Sequence, residues 1–110
     1  MADSGWEIFN IEELKKSVSH TDVGYKEFLN VDAMHCGVYR LAAGSSDMQT
    51  PHDEDELYYV VEGKAQLSVA GEVQEVGPGS VMYVRASEEH AFFEIAEDMT
   101  LLVFFATGKR

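Results

Sequence analysis

Cys36 is the only cysteine in the chain, so no intrachain disulfide can form and a disulfide-stapled secreted scaffold is excluded. Proline is almost as scarce, at Pro51 and Pro78 alone, and no biased or repeated tract suggests a linker or a low-complexity segment. Basic residues number 8 against 20 acidic ones, a formal net charge of -12. That balance argues against nucleic acid and anionic membrane surfaces as partners, because both would be repelled. Solubility is role enough for most of the acidic residues. Long apolar runs are missing too, and Leu101–Ala106 is far too short to span a bilayer. The opening residues Met1–Glu7 have neither a basic nor an apolar leader region, so a cytoplasmic location is expected.

What remains is a chain of 110 residues with 45% hydrophobic and 25% charged residues, values that suit one globular domain with a single core. Residues 1–33 read as an N-terminal helix and lead-in segment packed on a barrel formed by residues 34–110. Asn10 can cap the helix, Glu13 holds the capping-box position, and Ile11, Leu14 and Val18 recur on one face. Lys15 and Lys16 sit toward its C-terminal end, where positive charge is favoured. After the helix the chain reads as short strands at Met34–Leu41, Met48–His52, Glu56–Glu62, Ala65–Ala70, Val73–Val76, Val81–Val84, His90–Ile95 and Leu101–Phe105. An additional strand is read at Gly24–Asn30. Glu62-Gly63-Lys64, Ala70-Gly71-Glu72, Gly77-Pro78-Gly79 and Glu97-Asp98 read as corners. This pattern predicts an all-β fold, a small antiparallel barrel or jelly roll with one short N-terminal helix.

The run Thr50-Pro51-His52-Asp53-Glu54-Asp55-Glu56 and the later His90 supply two imidazoles and a carboxylate. Such a set holds a divalent metal on one side and leaves the other open to substrate. On one straight strand His52 and Glu56 would lie about 13 Å apart, too far to share an ion. Pro51 and the strand-like Leu57–Val61 argue against a helix. A hairpin is therefore expected, with Asp53-Glu54-Asp55 as its turn and His52 facing Glu56 at roughly 5 Å between Cβ atoms. His35 and Cys36, as neighbours on a strand, point to opposite faces and form no dyad. No phosphate loop or serine-nucleophile motif occurs.

The spacing also resembles that of a known family. Gly44, five residues, Thr50-Pro51-His52, three residues, Glu56, six residues and Gly63 follow the first motif of the cupin superfamily. Gly79, five residues, Arg85, Ser87, His90 and Glu94 follow the second. Within the superfamily the wording Asp47-x-Gln49-x-Pro51-His52-x-x-Asp55-Glu56-x-Tyr58-Tyr59-Val60 looks like the small single-domain, conserved-barrel cupins. The first motif's leading histidine is Thr50 here. The second motif's proline, glycine and final asparagine are Arg85, Ser87 and Glu94.

The resemblance implies that His52, Glu56 and His90 are metal ligands, with Thr50, or Gln49 from the neighbouring position, at the fourth place. Fe(II) is favoured for such a set, and Mn, Ni, Zn or Cu fit it as well. Tyr58 shares the inward parity of Glu56. It either fills the barrel or sets its hydroxyl beside the metal as a proton donor or substrate clamp. Arg85 is read as a fork for a substrate carboxylate or phosphate, against an ordinary salt bridge to Glu88, Glu89 or Glu94. Phe92 and Glu94 alternate with His90 and should line the interior, with Met48 and Met82 as adaptable pocket lining. The function implied is a metal-dependent enzyme acting on a small polar organic molecule by dioxygenase-, isomerase- or lyase-type chemistry, an Fe(II) dioxygenase if iron binds. The alternatives are a non-catalytic small-ligand-binding module and a structural dimer with a vestigial pocket. The resemblance also implies a homodimer, since cupins often pair through their sheets.

Overall fold

The computed structural model describes residues 5–47 and 52–107. Its elements are α1 (Ile11–Val18), β1 (Val23–Val31), β2 (Met34–Leu41), β3 (Asp55–Val69), β4 (Glu72–Val76), β5 (Val81–Val84) and β6 (His90–Ala106). The strands pair antiparallel in the order β1-β2-β6-β3-β4, with β5 also on β3. The fold is all-β with one short helix, the rolled architecture that the punctuated strand pattern predicts.

Two pairs of expected strands are each one continuous strand. Glu56–Glu62 and Ala65–Ala70 run together as β3, and His90–Ile95 and Leu101–Phe105 run together as β6. The expected corners at Gly63 and Glu97-Asp98 are bulges that face each other where the two strands pair. The β3–β6 register slips between Val60 and Glu62, Glu62 and Lys64, and Lys64 and Gln66. A bulge bends a strand and raises its twist without ending it, so glycine here marks a fold in the sheet. Gly63 has φ 95°, and a Cβ added to it would run into the Asp98 carbonyl oxygen and lie 2.6 Å from Met99 Cα.

Beyond the bend, β3 uses its other edge twice. Its first half pairs with β5 and its second half with β4. The interior between the rolled halves is filled by Leu41, Tyr58, Val60, Leu67, Val84, Phe92, Met99 and Leu101, all buried. The expected strand at Met48–His52 falls mainly on residues 48–51, outside the described residues, and His52 itself is not in a strand.

Helix α1 is capped as its sequence predicts, with Asn10 Oδ1 accepting from the Glu13 amide at 3.1 Å. Val18 buries its side chain as the helix packs on β1 and β2. Lys15 Nζ reaches Glu62 Oε1 at 3.0 Å, and Thr100 Oγ1 donates to Glu62 Oε2 at 2.9 Å. Glu62 therefore ties the helix to both long strands at their bend. Burial pushes its carboxyl up, but the Lys15 and Thr100 hydrogen bonds and the charges of Lys15 and Arg40 outweigh that and hold it below its ordinary value of 4.5.

Two consequences follow from the bend. Replacing Gly63 with Ala should cost about 2–4 kcal/mol, from strain at positive φ and overlap with the facing strand, measured by denaturant unfolding. A loss under about 0.5 kcal/mol, within the range of neutral surface changes, would mean that the two strands do not approach so closely. Because the Glu62 carboxyl is lowered on folding, its contribution is full above the ordinary value of 4.5 and is lost as pH falls through the lower folded value. Thermal unfolding from pH 7 down to pH 3 should accordingly fall more steeply for the native chain than for Glu62→Gln. Parallel curves would remove this tie.

Candidate functional site

Glu56 is the second residue of β3 and His90 the first of β6, yet their side chains touch. On a straight strand Glu56 and Val69, the residue paired with His90, would stand about 43 Å apart. In the rolled sheet His90 Nε2 lies 3.3 Å from Glu56 Oε1 and 3.0 Å from the Tyr58 hydroxyl. All three residues are buried, Glu56 to 2% exposure and His90 to 7%.

The hydrogen bonds fix the imidazole's protons. His90 Nδ1 sits 2.9 Å from the Glu88 carbonyl oxygen, which can only accept, so Nδ1 carries a proton. In the neutral ring Nε2 is then a lone pair, which the Tyr58 hydroxyl satisfies. Glu56 Oε1 as a carboxylate is also an acceptor, so the close Glu56–His90 approach needs a proton between them or a cation beside them. Glu56 Oε2 is buried with no hydrogen-bond partner among the described residues. A buried, partnerless carboxylate oxygen is costly unless something positive meets it.

His52 reaches the same place by a different route from the expected hairpin. Among the described residues no strand precedes β3 to pair with it across Asp53-Glu54-Asp55, and β3 spends its edges on β6, β5 and β4. Instead His52 lies outside the ladder, and its carbonyl oxygen accepts from the Ser87 amide at 2.7 Å. Its ring stands 6.4 Å from the His90 ring, centroid to centroid, and packs edge-on to Phe105 at 5.0 Å. Two imidazoles on one ion have centroids about 5 Å apart, given metal–nitrogen bonds near 2.1 Å. The rings would therefore have to close by about 1 Å, and no three-residue cluster tight enough for an ion is present among the described residues. Donor chemistry and the orphaned oxygen fit a divalent metal, while His52 stands just outside bonding position. Thr50 and Gln49, the fourth-position candidates, lie outside the described residues, as does Met48.

Around this centre Phe92 is buried and meets the Tyr58 ring edge-on at 5.4 Å. Met82, the register partner of Tyr58 on β5, is half-buried against the core. Glu94 is not interior. Between the pairs Gln66–Phe93 and Lys64–Glu97 the β6 chain advances four residues against two on β3. This bulge puts Glu94 at φ 47° and turns it out to solvent, so Ile95 takes the inward place. Arg85 is exposed on the turn after β5. It lines a cleft of about 410 Å³ floored by Leu67, Val69 and Met82 and flanked by Glu72 and Glu88. No ion pair to Glu88, Glu89 or Glu94 accompanies it among the described residues.

Several supporting residues carry no sequence signal of their own. Asp47 accepts from the Tyr39 hydroxyl at 2.7 Å and from the Phe92 amide at 2.8 Å, clamping β2 to β6 beside the site. Burial first, then this hydrogen bond, pushes the Tyr39 phenol up, so it stays a donor. His35 stacks on Phe105 at 4.5 Å, and its two nitrogens lie 3.1 Å from Glu27 Oε2 and 3.3 Å from Glu54 Oε2. Phe105 thus separates His35 from His52. Cys36 is buried, and burial followed by the Glu27 charge pushes its thiol up, which makes it a poor nucleophile. No described helix is long and apolar enough to cross a membrane.

Comparison with known proteins gives the lineage. The family model for the cupin domain matches residues 37–105. An uncharacterized protein of Streptomyces coelicolor is 42% identical over 98 residues, spanning 89% of this chain and 93% of that one. A 5-nitrosalicylic acid 1,2-dioxygenase of Bradyrhizobium is 28% identical over 96 residues, 84% of this chain but 46% of its own. Among solved structures, a salicylate 1,2-dioxygenase from Pseudaminobacter salicylatoxidans superposes with a TM-score of 0.81 at 13% identity, over 89% of this chain and 34% of that one. The last match speaks to fold alone, and the chain spans less than half of either dioxygenase. With the family model covering more than half its length, this chain belongs to the cupin family.

Proposed function

We propose that this cupin binds a divalent metal through Glu56, His90 and His52 and acts on a small polar organic molecule. The observation that carries the reading is Glu56. Among the described residues its Oε2 is buried without a partner while Oε1 faces His90 Nε2, an arrangement that a cation would satisfy. A set of two imidazoles and one carboxylate favours Fe(II) and admits Mn, Ni, Zn or Cu. When bound, such an ion supplies Lewis acidity or, as Fe(II), oxygen activation. The name of the 28%-identical relative, a 5-nitrosalicylic acid 1,2-dioxygenase, supports dioxygenase-type chemistry.

The chain's own residues would bind and orient the substrate. Phe92 and Met82 wall the interior, and the Tyr58 hydroxyl is a proton source beside the metal. Arg85 offers a bidentate donor at the cleft. That cleft is lined by Glu72 and Glu88 and by none of the three metal donors, so Arg85 would meet an outlying carboxylate of the substrate rather than the group at the metal. A binding module without catalysis is favoured by one feature: Tyr58 already satisfies His90 Nε2, so the centre can persist without an ion.

Metal content decides first. Protein purified without an affinity tag and exposed anaerobically to Fe(II), Mn, Ni and Zn should retain close to one equivalent of one ion. Glu56→Gln and His90→Ala should retain at least tenfold less. Native protein holding under about a tenth of an equivalent of every ion would sink the metal reading. Oxygen uptake with a panel of hydroxylated aromatic acids then separates an oxygenase from a binding module.

Pairing of two copies is part of the same proposal. Leu57, Tyr59, Val81 and Tyr83 are register neighbours on the outward face of β3 and β5, exposed by 41%, 39%, 60% and 60%. Uncharged aromatic surface on so acidic a chain is where two copies can meet without charge repulsion. Light scattering should give twice the chain mass, and the double variant Tyr59→Glu, Tyr83→Glu should give the single mass. Native protein at the single mass would dismiss the dimer.

A further inference from the structure

Glu56 and His90 come from separate strands, and His52, four residues before Glu56, belongs to no strand. Their relative placement therefore depends on hydrogen bonds between stretches, and these converge on one turn, Arg85–Glu88. The turn is closed by the Glu88 amide donating to the Arg85 carbonyl at 3.2 Å. Its Ser87 amide donates to the His52 carbonyl oxygen at 2.7 Å. Its Ala86 amide donates to Asp55 Oδ1 at 2.9 Å, one residue before Glu56. Its Glu88 carbonyl takes the proton of His90 Nδ1 at 2.9 Å. Beyond it, Glu89 O accepts from the Ala70 amide at 3.0 Å, fixing the far side to the end of β3.

We propose that this turn is a jig for the three donors and that Asp55 is a positioning residue acting through it. The proposal rests on the metal-binding reading for its purpose but not for its geometry. Asp55 makes the turn's only side-chain bond to β3 found among the described residues, and a carboxylate receiving a backbone amide is a strong acceptor. Without it, the turn is held to β3 only at its flanks, by Val84 paired with Glu56 and Glu89 bonded to Ala70, and its apex, which holds the His52 carbonyl, is free to shift. Ser87 makes the turn easy to disturb, because it sits at φ 69°, where any side chain beyond glycine, asparagine or aspartate is disfavoured. An acidic residue next to a ligand reads in sequence as part of a solvated acidic turn. Only its partner on the Ala86 amide reveals the role.

The test compares Asp55→Ala with Asp55→Asn, since the asparagine oxygen still accepts from Ala86. The first readout is the His90 tautomer from long-range proton–nitrogen NMR of the metal-free protein. Native protein and Asp55→Asn should show the ring protonated at Nδ1, and Asp55→Ala a mixture of tautomers. The second is Co(II) affinity from the visible spectrum, weaker by about tenfold to a hundredfold in Asp55→Ala and within about threefold of native in Asp55→Asn. Ser87→Val opposes the turn's backbone without touching Asp55. It should reproduce both effects, and it decides the matter should Asp55→Ala fail to fold. Native-like tautomer and affinity in Asp55→Ala would overturn the proposal, as would failure of Asp55→Asn to rescue. A tautomer change in Asp55→Ala, with no Co(II) bound by the native chain, would uphold the jig and remove the metal reading instead.

Discussion

The structure depends on one constraint: two long strands, β3 and β6, stay paired along their length while the sheet they share rolls upon itself. Hydrogen-bonded strands resist sharp bending, so the roll is concentrated where the ladder slips, between Val60 and Gln66 on β3 and between Phe93 and Leu101 on β6. Gly63 makes that possible because the opposing backbone passes where its Cβ would be. Everything functional descends from this bend. It brings His90 over Glu56 and Tyr58, and it leaves β3 an edge to share between β4 and β5. It also places Glu62 where one carboxylate can hold both the helix and the facing strand.

The bend delivers a carboxylate into a nearly dry place, which sets the electrostatics of the site. A buried charge must be paired or neutralised. Glu56 has a half-partner in His90, whose other nitrogen is committed to a carbonyl and whose facing nitrogen is shared with Tyr58. Among the described residues one carboxylate oxygen is left without a partner. An apolar residue of similar size would fill that volume at lower cost, so packing alone does not account for an acid there. The 20 acidic residues do not blur this, because the others whose surroundings are described lie at the surface or only partly covered.

The sequence made legible the strands' existence and the helix cap, because alternation, turn residues and capping chemistry are local. Met34–Leu41 and Val81–Val84 have the boundaries the pattern predicts. It was silent on continuity. A glycine at a corner and a glycine at a bulge look the same in one dimension, so Gly63 and Glu97-Asp98 read as chain reversals. The error at Glu94 has the same origin, for parity counted from His90 holds only until the bulge inserts an extra residue. His52 fails for a related reason. Its partner is not the next strand but the Ser87 amide, 35 residues later in the chain, and no spacing rule near His52 encodes that contact. Asp47 and Asp55 stand in the family wording, but their roles are hidden for the converse reason. Each accepts from a backbone amide, which has no residue identity to detect.

The same interactions couple stability to occupancy. If an ion meets Glu56 Oε2 in the folded chain and not in the unfolded one, its binding free energy adds to the folding free energy. The cost of burying the carboxylate is then borne only by the ion-free protein. An apolar replacement for Glu56 could therefore stabilise the ion-free chain even as it abolishes the site, whereas a cavity-forming change at Tyr58 or Phe92 would weaken both forms. The sign of the stability change thus separates a residue kept for chemistry from one kept for packing. By that criterion the acid at the start of β3 stands apart from the aromatic residues that surround it.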